Sequence, residues 1–251
     1  GIPDGVFNVL PGIGARYAVN DDFDLIFGVH KGFSAPSSDP DTDEEESTNW
    51  EAGFRYNGDL ASLEMIGFIN DFENLVGVCT ASSGANCDVG DVFSGDAART
   101  RGLETRFSTD WSQTSSFGLP LEATWTWTDA EFRSDLADTN FFGDVEKGDP
   151  VPYIPDHQFY ISQGVVWQRW AGYLSVNYID EVCAFASCGP FEQTDSLTTI
   201  DASVHYDLTP RIQIFGLAQN LNNEDGIAGR QPRGARPNLD RTFIGGLRIQ
   251  L

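Results

Sequence analysis

The chain has 251 residues, 40% of them hydrophobic, which is enough for one sizeable domain. Its 38 acidic and 15 basic side chains give a formal net charge of −23, which argues against nucleic acid and anionic lipid headgroups as partners. No segment approaches the roughly 20 apolar residues that a membrane-spanning helix needs. Residues 1–5 (GIPDG) have neither the basic nor the apolar region of a signal peptide, so we expect the natural N-terminus to lie upstream.

Alternation of apolar and polar residues with a period of two predicts eleven β-strands and no helix. The pattern is clear in the sixth predicted strand, where Leu121, Trp125 and Trp127 share one face and Glu122 and Thr126 the other. The predicted strands are residues 12–20, 24–33, 49–57, 61–72, 99–110, 119–130, 157–168, 170–180, 198–208, 211–220 and 241–251.

The connections between these strands alternate between short and long. The long ones are residues 34–48, 73–98, 131–156, 181–197 and 221–240, far above the usual two to five residues of a hairpin loop. Because successive antiparallel strands run in opposite directions, all long connections lie at one end of the sheet. Short periplasmic turns and long extracellular loops are typical of outer-membrane barrels. We therefore predict an all-β fold, an antiparallel transmembrane β-barrel with its apolar face toward lipid, and keep a soluble all-β fold as the alternative.

Four cysteines fall in two close pairs within polar connections, Cys79 with Cys87 and Cys183 with Cys188. Each pair could close a small loop, and disulfides suit an oxidising compartment such as the periplasm or the cell surface. The sequence has no Cys-x-x-Cys spacing and no histidine near either pair, so zinc is the weaker interpretation. We predict two disulfide candidates and no metal site.

The remaining polar motifs do not indicate catalysis. The acidic segment 39–46 begins like a calcium-binding loop, but Glu44 occupies the position of the required glycine, which favours a solvated acidic loop. The Gly-x-Ser-x-Gly motif of a serine nucleophile is missing from the sequence. The three histidines lie in separate predicted strands: His30, His157 and His205. We predict no catalytic residues.

Five short segments resemble junctions of TonB-dependent outer-membrane receptors, which import iron chelates and other scarce nutrients. The last of them resembles the ferric-citrate branch of these receptors. The segments are residues 31–36 (KGFSAP), 49–56 (NWEAGFRY), 99–104 (RTRGLE), 219–222 (QNLN) and 234–242 (GARPNLDRT).

The resemblance implies a partial barrel. Such receptors have about 22 strands around a plug domain, so residues 1–251 would be the C-terminal part of the barrel, without the plug, the first strands or the TonB box. It further implies the outer membrane of a Gram-negative bacterium, contact with outer-membrane lipid, and a TonB complex as partner through the missing N-terminal region. Transport, with no enzymatic activity and no cofactor, would be the function. Leu251 departs from the terminal aromatic residue that is usual in these barrels.

The last long connection contains the best candidate for a ligand site. Arginine side chains bind carboxylates through paired hydrogen bonds, and several lie here in an otherwise acidic protein. The predicted ligand-binding residues are Arg230, Gln231, Arg233, Arg236 and Asn238. The competing interpretation is that these arginines pair with acidic loops such as residues 39–46.

From these residues and the resemblance we expect TonB-dependent active transport of a ferric chelate, either ferric citrate or a siderophore, into the periplasm. Two alternatives have the same strand and loop pattern: a passive outer-membrane pore, and uptake of another nutrient such as cobalamin or a carbohydrate. An outer-membrane barrel hydrolase is less favoured, because the sequence marks no nucleophile.

Overall fold

A computed structural model shows a single large antiparallel sheet of eleven strands. It describes residues 9–34, 45–78, 88, 92–94, 97–114, 117–139, 142–230 and 234–250. Within these ranges, no helix is long and apolar enough to span a membrane.

Seventeen strands are numbered in chain order, and eleven long ones form the sheet in the order β1-β2-β3-β4-β7-β8-β11-β12-β13-β14-β17. The long strands are β1 (Gly12–Ala18), β2 (Phe23–Ser34), β3 (Glu45–Asn57), β4 (Ala61–Glu73), β7 (Ala98–Asp110), β8 (Pro120–Phe132), β11 (His157–Trp167), β12 (Trp170–Ile179), β13 (Leu197–Thr209), β14 (Ile212–Gln219) and β17 (Thr242–Ile249). The short strands are β5 (Val76–Val78), β6 (Val92–Ser94), β9 (Leu136–Thr139), β10 (Gly143–Val145), β15 (Ile227–Gly229) and β16 (Arg236–Pro237). One 3-10 helix spans Trp111–Thr114.

All eleven predicted strands are present, and the prediction of an antiparallel sheet with long connections at one end is confirmed. The start of β3 differs most from the prediction, and every other end of a long strand lies within two residues of its predicted position. Strand β3 begins at Glu45, because Glu45 and Glu46 still pair with Ser34 and Phe33 of β2. The short strands were not predicted, and they pair within the long connections as β5 with β6, β9 with β10, and β15 with β16.

One face of the sheet is apolar and uncovered. On it Phe243 is 70% exposed, Leu174 53% and Val204 47%, although each lies within a long strand. Residues directly opposite each other on neighbouring strands point to the same side of a sheet, so the strand register places these side chains in rows. A soluble fold buries such a surface, so its exposure across the sheet is what a barrel requires of the face that meets hydrocarbon.

The opposite face is polar and carries a line of alternating charges near the short turns. The line consists of six residues on neighbouring strands: Arg16, Asp24, Arg55, Glu64, Arg106 and Glu122. Ion pairs join Arg16 to Asp24 at 2.7 Å, Arg55 to Glu64, and Arg106 to Glu122 at 2.9 Å. Register sets Asp24 opposite Arg55 and Glu64 opposite Arg106. Alternating signs let each charge meet an opposite one on the next strand.

The buried apolar residues that the structure describes lie at the end of the sheet with the long connections. Phe132 is fully buried and packs edge to face on Phe142, with ring centroids 5.0 Å apart. The amide of Ala186 donates to the Phe142 carbonyl, and the amide of Tyr153 donates to the Cys183 carbonyl, each at 2.9 Å. We call the described residues of 132–156, 180–196 and 220–241 the loop layer.

Candidate functional site

The last long connection folds into a small hairpin that brings its predicted ligand residues together. Strand β15 pairs with β16, with Gly229 opposite Arg236 and Ile227 opposite Pro237. Arg236 therefore lies across the hairpin from Gly229, the residue that precedes Arg230. Two other predicted residues, Gln231 and Arg233, lie outside the described residues.

Arg230 is held against two other connections of the loop layer. Its Nε donates to the Gln193 carbonyl at 2.7 Å, and its backbone amide donates to the hydroxyl of Tyr153 at 3.2 Å. Arg236 is exposed. Among the residues that the structure covers, neither arginine makes an ion pair. Because residues 35–44 are outside the description, pairing with the acidic segment stays a prediction.

Asn220 anchors both ends of the last connection. Its side-chain amide donates to the carbonyls of Glu224 and Leu239, each at 2.9 Å, and its Oδ1 accepts from the Glu224 amide at 2.7 Å. Its backbone amide donates to Asp201 Oδ1 on β13 at 2.8 Å. Asn220 is 4% exposed and has a φ of 51°, a left-handed conformation that asparagine tolerates better than most residues.

Asn222 extends the sheet with its side chain. Its Oδ1 accepts from the Ile200 amide at 3.0 Å, and its Nδ2 donates to the Thr198 carbonyl at 2.7 Å. A side-chain amide thus replaces a backbone amide as partner of β13. The segment 219–222 was recognised in the sequence only as a resemblance, and these bonds give its two asparagines a structural role.

Asn238, the remaining predicted ligand residue, lies over a cavity of about 360 Å³ at the long-loop end of the sheet's polar face. Its backbone amide donates to the Gly226 carbonyl at 2.8 Å, and its Oδ1 accepts from the Leu239 amide at 2.8 Å. Its Nδ2 is buried and has no hydrogen-bond partner.

Strand register builds the floor of this cavity. One row across four strands joins Thr124, Tyr160, Asn177 and Thr199, each directly opposite the next. The adjacent row places Thr126 opposite Gln158. These residues and Asn238 are neutral and hydrogen-bonding, and no charged side chain of the described residues lines the cavity. Sequence reasoning missed this floor, although its signal was present as polar residues that recur at every second position near the strand ends.

The loop layer also contains one of the predicted disulfides. Cys183 and Cys188 are bonded, with 5.2 Å between their Cα atoms, which confirms that prediction. Glu192 braces the adjacent segment, because it accepts from the amide of Gly189 at 2.8 Å and from the hydroxyl of Ser187 at 3.1 Å. Cys79 and Cys87 lie outside the described residues. Within the described ranges, no group of three or more His, Cys, Asp or Glu side chains could hold a metal ion.

Comparisons with known proteins agree with this architecture. A family model described as "TonB dependent receptor-like, beta-barrel" matches residues 3–221, and no curated protein matches the chain. The fold is similar to that of the ferric yersiniabactin uptake receptor FyuA from Yersinia pestis, with a TM-score of 0.74 and 19% identity over 96% of this chain and 37% of that one. It is also similar to the unliganded ferric citrate transporter FecA, with a TM-score of 0.73 and 20% identity over 95% of this chain and 38% of that one.

A third similar structure is the siderophore receptor PiuA from Acinetobacter baumannii, with a TM-score of 0.74 and 13% identity over 95% of this chain and 35% of that one. The chain thus spans well under half the length of these solved receptors. The family match extends over most of the chain, and the sheet supplies the strand order and loop asymmetry of such barrels. The chain therefore belongs to the TonB-dependent receptor-like β-barrel family.

Proposed function

We propose that this chain is the C-terminal part of the barrel of an outer-membrane receptor, and that the intact receptor carries out TonB-dependent transport of a ferric chelate into the periplasm. The observation that carries the proposal is the family match over residues 3–221, on a sheet with one uncovered apolar face. The iron-related names of the three similar structures support a ferric chelate. The remaining strands, the plug and the TonB-contacting segment would come from the rest of the intact receptor.

In the proposed orientation the loop layer faces the cell exterior, the short turns face the periplasm, and outer-membrane lipid covers the apolar face. The exposed apolar side chains, such as Leu174 and Phe243, then lie in hydrocarbon. The polar face with its alternating charges lines the lumen. This assignment gives strands such as β8 and β13 the apolar-outward and polar-inward alternation of a transmembrane barrel.

The proposed ligand residues are Arg230, Gln231, Arg233, Arg236 and Asn238. Arg230 supports the assignment because a backbone carbonyl, and not a carboxylate, holds its Nε, so its positive charge is not neutralised by that contact. Arg236 is exposed on the partner strand of the same hairpin. Guanidinium groups on an outward-facing hairpin suit the carboxylate or phenolate oxygens of a ferric chelate.

The proposal is tested by iron uptake through the intact receptor in a Gram-negative strain that lacks its own ferric-chelate receptors. Radioactive ferric dicitrate and a ferric siderophore are supplied separately, in cells with and without TonB. We expect uptake of at least one chelate only in cells with TonB. Joint replacement of Arg230, Arg233 and Arg236 by Ala should lower uptake by about tenfold or more, since even one charged hydrogen bond contributes about 1.5–3 kcal/mol.

Arg211→Ala is the matched control, because Arg211 is an exposed arginine at the short-turn end of the sheet. It should leave uptake unchanged. Uptake that does not depend on TonB would indicate a passive pore and contradict the proposal. Failure to take up any iron chelate, from a receptor that is present and folded in the outer membrane, would redirect the function to a nutrient such as cobalamin or a carbohydrate.

A further inference from the structure

The cavity beneath Asn238 differs chemically from the hairpin of β15 and β16, which carries Arg230 and Arg236. We propose that this cavity binds an uncharged part of the ligand that carries hydroxyl, amide or carbonyl groups, so that the transported chelate is a siderophore with a neutral hydrogen-bonding arm and not ferric citrate. The inference rests on the proposed function and names the ligand class for the same receptor.

The lining of the cavity suits neutral groups. Hydroxyls of Thr124, Thr126 and Thr199 both donate and accept hydrogen bonds, as do the side-chain amides of Gln158 and Asn177. A ligand carbonyl, amide or hydroxyl can therefore exchange its water contacts for protein contacts here. A carboxylate would lose part of its hydration here without gaining a cationic partner, which is unfavourable.

The nearest fixed charge strengthens this selection. Asn177 Nδ2 donates to Asp201 Oδ2 at 3.1 Å, and the second oxygen of Asp201 accepts from the Asn220 amide. Asp201 lies two residues from Thr199 on the same face of β13, so it places a negative charge beside the floor of the cavity. That charge raises the free energy of an anion in the cavity and leaves a neutral arm little affected.

Asn238 provides an independent sign that something binds here. Its Nδ2 is buried without a partner, although buried polar groups are nearly always hydrogen-bonded. The backbone around it is held at Gly226 and, through the Leu239 carbonyl, by Asn220. Asn238 thus has an unused donor at the edge of the cavity, and a carbonyl or hydroxyl oxygen of the ligand would satisfy it once the side-chain amide turns toward the cavity.

The volume of the cavity limits how much of the ligand enters it. About 360 Å³ lies near the lower end of the range for small-molecule pockets. It accommodates one arm of a siderophore and leaves the rest of the chelate outside. Arg230 and Arg236 are then available for an anionic edge of the same ligand, which gives the two chemically different regions separate roles in recognition.

The test measures dissociation constants of two iron probes for the intact receptor in detergent: a charge-neutral ferric trihydroxamate and the anionic ferric dicitrate. The test variant combines Thr126→Val and Tyr160→Phe, which removes two hydroxyls and conserves the shape of the floor. We expect the neutral probe to bind about tenfold more weakly, from the loss of two hydrogen bonds. A second variant, Asn238→Ala, should weaken the same probe. Ferric dicitrate should bind the wild-type receptor more weakly than the neutral probe does, and the Thr126/Tyr160 variant should leave that weak binding unchanged.

Thr198→Val is the matched control, because Thr198 neighbours Thr199 on β13 and points to the opposite face. It should bind the neutral probe like the wild type. Two outcomes would overturn the cavity assignment and leave ferric-chelate transport standing. The first is unchanged affinity of the Thr126/Tyr160 variant for the neutral probe. The second is weakened binding of ferric dicitrate alone by that variant. If neither probe binds and no ferric chelate supports TonB-dependent uptake, the proposed function fails together with the inference.

Discussion

The long strands and the loop layer are stabilised in different ways. The sheet exposes large apolar side chains such as Leu174 and Val204 along one face, whereas the loop layer buries Phe132, Phe142 and Ala186 in a conventional core. In the proposed orientation the sheet therefore depends on a hydrocarbon environment for much of its stability. The loops that contain the candidate site are stabilised by their own buried core. A receptor built in this way can hold its binding loops in shape above the membrane.

The largest effect on this contrast should come from Phe132→Ala, which removes a fully buried ring from the core of the loop layer. Large-to-small changes of this kind cost about 3–5 kcal/mol. Hydrogen exchange of loop-layer amides should show that loss of opening free energy, with the same size in detergent and in bilayers. Phe191→Ala is the matched control, because Phe191 is 87% exposed and should have no effect. Equal protection in both variants would contradict an independent loop core.

A charge on the apolar face should have the next largest effect, and this effect should depend on lipid. Val204 is 47% exposed near the middle of β13. Arginine at the bilayer midplane of a barrel costs about 2–4 kcal/mol. Unfolding of the intact receptor in phospholipid bilayers, followed by tryptophan fluorescence, should show this loss for Val204→Arg and a smaller one for Ser203→Arg on the polar face. Indistinguishable losses would show that Val204 does not face lipid.

Removing the anchor of the last connection should have an intermediate effect. Asn220→Ala deletes three side-chain hydrogen bonds to Glu224 and Leu239, which should cost about 1–3 kcal/mol of local stability. Faster hydrogen exchange at Glu224 would report the loss. The matched control is Asn223→Ala, because Asn223 has a similar φ of 54°. Comparable exchange in the two variants would attribute the effect to backbone strain and contradict the anchoring role.

The smallest effect is expected for an ion pair on the apolar face of the sheet, near the end with the long connections. Arg101 donates from Nε and Nη2 to Asp129 Oδ2, at 2.9 Å and 2.6 Å, and the two side chains are 54% and 34% exposed. Exposed pairs contribute about 0.2–1 kcal/mol. A double-mutant cycle with Arg101→Gln and Asp129→Asn should give a coupling energy in that range. A coupling well above 1 kcal/mol would mean that the pair is sequestered from water.

The long strands and their order could be predicted from the sequence because the patterns that indicate them lie within short segments. Alternation within a strand such as β8, and a short turn such as the one between Trp167 and Trp170, set the period and the neighbour without further knowledge. The ends were less predictable. Glu45 and Glu46 read as part of an acidic loop, and only the pairing partners on β2 show that they continue β3.

The loop core and the cavity could not be predicted in this way. Phe132, Phe142 and Ala186 come from separate segments with no common period, so nothing in the sequence indicates that they meet. Arg230, Arg236 and Asn238 could be grouped from the sequence because they lie within nine residues of one another, and their role in ligand binding stays a prediction. The cavity floor required the register of four strands, since Thr124 and Thr199 share a row only through Tyr160 and Asn177.

The strand order has a consequence for how such a sheet can change during evolution. Each long strand pairs with the preceding and the following long strand, and the six short strands pair only within the connections. A duplicated or deleted hairpin would therefore alter the circumference by two strands while every other pair kept its register. Duplication of a hairpin can thus widen a barrel of this kind, and deletion can narrow it, in steps of two strands. The remaining strand pairs do not have to be rebuilt at any step.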